Sequence, residues 1–199
     1  MSSHHFVRDK QEPSILIWDE HSLSEELMGQ LFEWSPVIMC HERALAYLSS
    51  LEGRIDVIFH EKFLEEELAI LTRGLPCEFV RLDPEQALEQ AMRYITGKQH
   101  DALNILGLKP EEIQTLLAYA GQINMIFFDQ NHKIYPVKEL FKKWMMKGQE
   151  FSLSGEARID PPLQATHVSA EKIDYTVAQD GLITIRSDGP YILVSEKLD

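Results

Sequence analysis

Ile123-Asn-Met-Ile-Phe-Phe128, followed by Asp129-Gln-Asn-His132, decides how this chain is read. The apolar run is the last of a series. Before it come Ile15-Leu-Ile-Trp18, Val37-Ile-Met-Cys40, Ile55-Asp-Val-Ile-Phe59, Glu78-Phe-Val-Arg-Leu82 and Ala102-Leu-Asn-Ile-Leu106, with helical stretches between them. After Phe128 the helical period mostly stops and short two-fold alternations take over. Strand-helix alternation builds a mostly parallel sheet with helices on both faces. A run of short strands with turn signals builds a sandwich or barrel. The expectation is a Rossmann-like α/β domain over residues 14–128, after an arm over 1–13, and a small β domain over 129–199. A ligand site is expected at the strand ends or in the crevice between the domains.

Working outward, Ser22-Leu-Ser-Glu25 resembles a capping box for a helix running to about Glu33. Asp83 suits an N-cap and Pro84 the first turn of the helix that stops at Gly97. Pro110 opens the helix that ends at Gly121. In the second part, strands are expected near 133–137, 150–153, 165–168, 173–177, 182–186 and 191–194. Gln179-Asp-Gly181 and Ser187-Asp-Gly-Pro190 mark turns. Val137–Met146 reads as a short helix or an irregular basic connection, with Trp144 buried.

The bulk numbers remove whole classes of function. The 199 residues carry a formal charge of −13, whereas nucleic acid binding needs a basic stripe to displace counterions. Only Lys138, Lys142, Lys143 and Lys147 form a basic run, and it is short. No nucleic acid and no membrane partner is expected, since no apolar run approaches the ~20 residues that span a bilayer. A small phosphate ligand is still compatible with the charge, because fields are screened beyond ~8 Å. Cys40 and Cys77 lack a CxxC spacing and read as reduced, buried cysteines of a cytoplasmic protein. The P-loop, dinucleotide, zincin and hydrolase-elbow strings are absent in their usual forms.

Chemistry-bearing residues gather after the expected strands. Asp19-Glu-His21, His41-Glu42 and His60-Glu61 all fall on one predicted sheet edge. Histidine and carboxylate can hold a transition metal, which makes His41, His60 and Glu61 metal candidates. The bland alternative is a set of surface His-Glu pairs, common at strand ends. Glu65-Glu66-Glu67, with Glu61, reads as a solvated helix face. Trp18 and Trp34 read as core or interface packing.

Several strings resemble the thiamine pyrophosphokinase family. They are Gly29-Gln-Leu-Phe-Glu-Trp-Ser-Pro36, Arg54-Ile-Asp-Val57, Ala102-Leu-Asn-Ile-Leu-Gly107, residues 123–135, Phe151-Ser-Leu153 and Asp180-Gly-Leu-Ile-Thr-Ile185. Those enzymes transfer a pyrophosphoryl group from ATP to thiamine, giving AMP and thiamine diphosphate. The resemblance implies a C-terminal β-sandwich and a homodimer whose site lies between the α/β domain of one subunit and the sandwich of the other. It implies thiamine or a nucleotide as ligand, with Mg²⁺ and ATP as cofactors if the family activity survives.

The chain departs from the family at the residues that would do the chemistry. The family's Asp-Gly pair after the second strand is replaced by Cys40-His41-Glu42-Arg43. Its Gly-Asp-x-Asp-Ser string after the third strand is replaced by His60-Glu61-Lys62-Phe63. Its Thr-Asp after the fourth is replaced by Asp83-Pro-Glu-Gln-Ala87, and its Gly-Arg-x-Asp-His after the fifth by Gly107-Leu-Lys-Pro-Glu-Glu112. Glu42, Glu61, Asp83 and Glu85 are the candidate catalytic stand-ins. A glutamate in place of aspartate shifts its oxygens by about a methylene, and ~1 Å of misplacement can change rates ~10²-fold. The expectation is therefore a thiamine pyrophosphokinase-like protein with impaired catalysis. The alternatives are a non-catalytic ligand-binding or regulatory dimer, or a partner subunit of an active relative.

Overall fold

The computed structural model describes residues 12–19, 24–34, 37–50, 54–72, 76–129 and 132–198. The arm over 1–11, Glu20, His21, Ser22, Asn131 and the side chain of Trp34 lie outside the described residues. The chain divides into two compact units between Met125 and Ile126.

The first unit holds five short strands: β1 (Ser14–Ile17), β2 (Ile38–His41), β3 (Val57–His60), β4 (Glu78–Arg81) and β5 (Ala102–Leu106). They pair in parallel in the order β5-β1-β2-β3-β4. Between them run the helices α1 (Glu25–Trp34), α2 (Leu45–Ser50), α3 (Glu65–Leu71) and α4 (Ala87–Gly97), and α5 (Pro110–Leu116) follows β5. Every residue of β1, β2 and β3 is buried, which is why these strands read as unbroken apolar runs. In α4, Ala87, Ala91, Met92 and Ile95 are buried and recur at the helical spacing that builds one core-facing stripe. Strand order reverses between β1 and β5, so a crevice is expected at their carboxyl ends.

Local chemistry sets two helix starts. Ser24 accepts the Leu27 amide at 3.2 Å and opens α1. Asp83 accepts the Glu85 amide at 3.0 Å, which makes a turn, and α4 begins only at Ala87. Its side chain satisfies its own turn, an alternative aspartate commonly takes to capping.

The second unit is antiparallel. One sheet runs β11-β12-β9-β14-β7-β6, from β6 (Asn124–Asp129), β7 (His132–Val137), β9 (Glu150–Ser154), β11 (Ala165–Val168), β12 (Ile173–Thr176) and β14 (Ile192–Lys197). A three-stranded sheet runs β10-β13-β8, from β8 (Leu140–Met145), β10 (Ala157–Asp160) and β13 (Gly181–Ser187). Both sheets feed one core, with Val137, Phe151, Leu153 and Val194 from the first and Met145, Ile183 and Ile185 from the second. Each such side chain contributes roughly 1.5–3 kcal/mol of apolar burial.

Strand β8 overturns the reading of Val137–Met146 as a helix or irregular connection. It is a regular strand whose register places Trp144 opposite Leu182 and Lys143 opposite Ile183. Alternation puts Leu140, Lys142 and Trp144 on one face and Phe141, Lys143 and Met145 on the other. The polar lysines on both faces hide that period. Trp144 is 64% exposed, so it is not the buried anchor expected.

Candidate functional site

The carboxyl edge of the parallel sheet opens into a cavity of about 550 Å³. Trp18 follows β1, His41 ends β2, Glu61 follows β3, and Glu112 stands on α5. Short strands that all end at one level bring these positions together.

The close approach of two loops sets this edge. Gly107 follows β5 with φ at +76°, and a Cβ there would fall 2.3 Å from the Asp19 carbonyl oxygen. Only glycine combines that conformation with that clearance. The contact continues the β1–β5 ladder, in which the Trp18 amide donates to the Leu106 carbonyl at 2.8 Å.

Glu42 reaches from the 3₁₀ turn after β2 to the loop after β3. Its Oε2 accepts the amides of Glu61 at 3.0 Å, Lys62 at 3.2 Å and Phe63 at 3.4 Å. Three successive amides aimed at one point form an anion-binding nest, and here the chain's own carboxylate fills it.

His41 is buried, with its ring tilted against Trp18 at a centroid distance of 4.4 Å. Its Nδ1 accepts from the Arg43 amide at 3.3 Å and from Arg43 Nε at 3.2 Å. Two donors on Nδ1 place the ring proton on Nε2. Nε2 lies 3.2 Å from Glu61 Oε1, yet it has no aligned hydrogen bond. The pair is thus a close charge-dipole contact and not a directed bond. Burial, and then the Arg43 guanidinium, push the His41 pKa down to about 4, against the opposing pull of Glu42 and Asp19. The ring is neutral at physiological pH and holds no extra proton to give.

Arg43 ties the edge together. Its guanidinium contacts Asp19 Oδ2 at 3.1 Å and Glu112 Oε1 at 3.9 Å, and lies 5.4 Å from the centre of the Trp18 ring. Glu112 is itself engaged, since its Oε2 accepts the Lys109 amide at 2.7 Å at the start of α5.

The sequence-predicted residues therefore separate. Glu42, Glu61 and His41 meet at the cavity, and Glu85 lines it from the turn before α4. Asp83 spends its carboxylate on that turn. His60 is buried, and neither ring nitrogen has a hydrogen-bond partner among the described residues. It contributes no nitrogen to the His41–Glu61 pair. Among the described residues, no three histidine, cysteine, aspartate or glutamate side chains are placed to share a metal ion. Glu61, expected on a solvated face with 65–67, instead turns inward to His41. Of that face, Glu66 and Glu67 are exposed, and Glu67 caps α3 by accepting the Leu64 amide at 2.9 Å. Sequence reasoning passed over Arg43 and Glu112. Arg43 was visible only as the residue after His41-Glu42, and nothing in its spacing pointed to α5.

No family model and no curated protein matches the chain. Solved structures do. A thiamine pyrophosphokinase from Bacillus subtilis is similar over 94% of this chain and 99% of its own, with a TM-score of 0.64 at 15% identity. One from Geobacillus thermodenitrificans is similar over 93% and 97%, with a TM-score of 0.67 at 14% identity. The enzyme from Candida albicans is similar over 94% and 90%, with a TM-score of 0.65 at 9% identity. At such low identity the likeness speaks of architecture: a mixed α/β unit with a parallel sheet, followed by antiparallel strands, is the thiamine pyrophosphokinase fold, and this chain has it.

Proposed function

We propose that this chain is a thiamine pyrophosphokinase-like protein in which the catalytic edge has become a structural contact. The observation that carries this reading is the Glu42 carboxylate seated on the amides of residues 61–63. Pyrophosphoryl transfer depends on positioning and on stabilising developing charge. A nest already filled by an internal anion offers neither to a nucleotide. Three other acids at this edge are similarly engaged: Asp19 and Glu112 face Arg43, and Glu61 faces His41. Mg²⁺ needs free carboxylate oxygens in near-octahedral geometry, and the engaged carboxylates of Glu42, Glu61, Asp19 and Glu112 do not fit that demand.

The chain then acts as a ligand-binding or regulatory subunit, as a homodimer or beside an active relative. Its helices and parallel strands serve as the Rossmann-like part, and its two antiparallel sheets as the family's β-sandwich. We place it in the cytoplasm, in keeping with two free cysteines.

Thiamine, ATP and Mg²⁺ in a coupled AMP-release assay test this directly. The expected result is no thiamine-dependent AMP above background, with an authentic thiamine pyrophosphokinase active in parallel. Brisk thiamine-dependent turnover overturns it. Thermal-shift scans with thiamine, thiamine diphosphate and nucleotides then identify a retained ligand, since 100 times the dissociation constant adds ~2.7 kcal/mol of stability.

A further inference from the structure

A second cavity, of about 530 Å³, lies wholly within the antiparallel unit. That is a size suited to a small metabolite. The chain as a whole carries a formal charge of −13. Yet Lys133, Lys143, Lys147 and Lys197 all line this cavity, against the carboxylates of Glu150 and Glu196. An electropositive recess on an acidic protein selects for anions.

Glu196 is the built part of the site. It stands on β14 between Lys133 of β7 and Phe151 of β9. It is only 9% exposed. Its Oε2 forms an ion pair with Lys143 reaching from β8. Its Oε1 is buried without a hydrogen-bond partner among the described residues. Tyr135 lies alongside, its phenol pushed up to about 12 by burial, then by the charge of the Glu196 carboxylate and a hydrogen bond to it. An ionised carboxylate can only accept hydrogen bonds, and a buried acceptor left without a donor is costly. The cavity thus pairs an under-satisfied acceptor with four lysines in its lining.

We propose that this cavity binds a small phosphate ester that carries a free hydroxyl or amino group. The hydroxyl donates to the Glu196 carboxylate, while the phosphate is held by Lys133, Lys147 and Lys197. Phosphate suits these lysines because its oxygens can accept from several ammonium groups at once, each bond strengthened by charge. Lys143 stays with Glu196 and keeps that carboxylate ionised and in place. The residues involved belong to the antiparallel unit alone, so occupancy here is independent of what the parallel-sheet edge does.

Ribose 5-phosphate, inorganic phosphate and ribose, titrated calorimetrically into the full chain at low salt, test the two halves of the site. Ribose 5-phosphate is expected to bind about tenfold tighter than phosphate, and ribose not detectably. Lys147→Glu with Lys197→Glu changes two exposed side chains and is expected to weaken both phosphate ligands about tenfold or more. Glu196→Gln, shown folded by its circular dichroism melt, is expected to keep phosphate binding and bring the two affinities together. No binding of ribose 5-phosphate overturns the proposal. So do equal affinities for the ester and phosphate in the unmodified protein, or affinities untouched by the lysine reversals.

Discussion

The Glu42 carboxylate lies 3.0 Å from the Glu61 backbone nitrogen, across the gap between the second and third strands. It joins the turn after β2 to the loop after β3, just beyond the ladder that pairs those strands. Glu42→Ala removes the acceptor from three amides, one of them partly buried. The expected cost is about 1–2 kcal/mol, with Glu42→Gln intermediate because it keeps a neutral acceptor. Urea unfolding of the three proteins measures this. Identical midpoints would show that the contact carries no stability.

Gly107 and Asp19 meet too closely for any side chain. Gly107→Ala combines an unfavourable φ with a methyl group driven into backbone atoms. The backbone of Asp19 must move, and β1 is tied to β5 next to it. The expected loss is about 2 kcal/mol or more, and the variant should populate the soluble fraction poorly. A melt within a degree of the parent would contradict the geometry.

His41 gives stability a defined pH dependence. Its folded pKa is about 4, against an ordinary value of 6.5. Between those values the unfolded chain binds a proton that the folded chain refuses. Stability from this group is therefore full above about pH 6.5 and is lost as pH falls toward 4, by about 3 kcal/mol. Below pH 4 it loses nothing further. Chemical denaturation from pH 7.5 to 4 measures the slope, and His41→Gln is expected to flatten that window. An unchanged slope in the variant would assign the effect elsewhere.

The thiols should differ in reactivity. Burial, and then Cys77, raise the Cys40 thiol to about 12, whereas Cys77 is half-buried and raised by burial. A thiol disulfide reagent at pH 8 is expected to modify Cys77 slowly and Cys40 only after denaturation, because the thiolate is the nucleophile. Rapid native modification of both residues would contradict the burial of β2.

Much of this fold is legible from residue order because the parallel strands are short and mostly apolar, with β4 the exception in its charged, exposed ends. β1 to β3 are buried on both faces, so their composition announces them. β8 and β10 are hidden because each turns a face to water. Lys142 and Lys143 in β8, and Arg158 in β10, place charge where a strand reader looks for alternation. The sheet edge was legible as a location, since His41, Glu42, His60 and Glu61 follow the strands by simple counting. Their partnerships were not. That Glu42 serves amides 19 residues away, and that Arg43 meets α5, depends on loop geometry that no local pattern encodes.

Arg43 sits amid a lone pair, an indole face and two carboxylates, and this has a consequence for anyone re-engineering the protein. Its neighbours cannot be exchanged one at a time without stranding a charge. Grafting a pair of metal-gripping aspartates onto this rim would need the guanidinium removed in the same step, along with the acids that balance it. Such replacements should be strongly non-additive. Stepwise exchange of these residues would cross a valley of poorly folded intermediates.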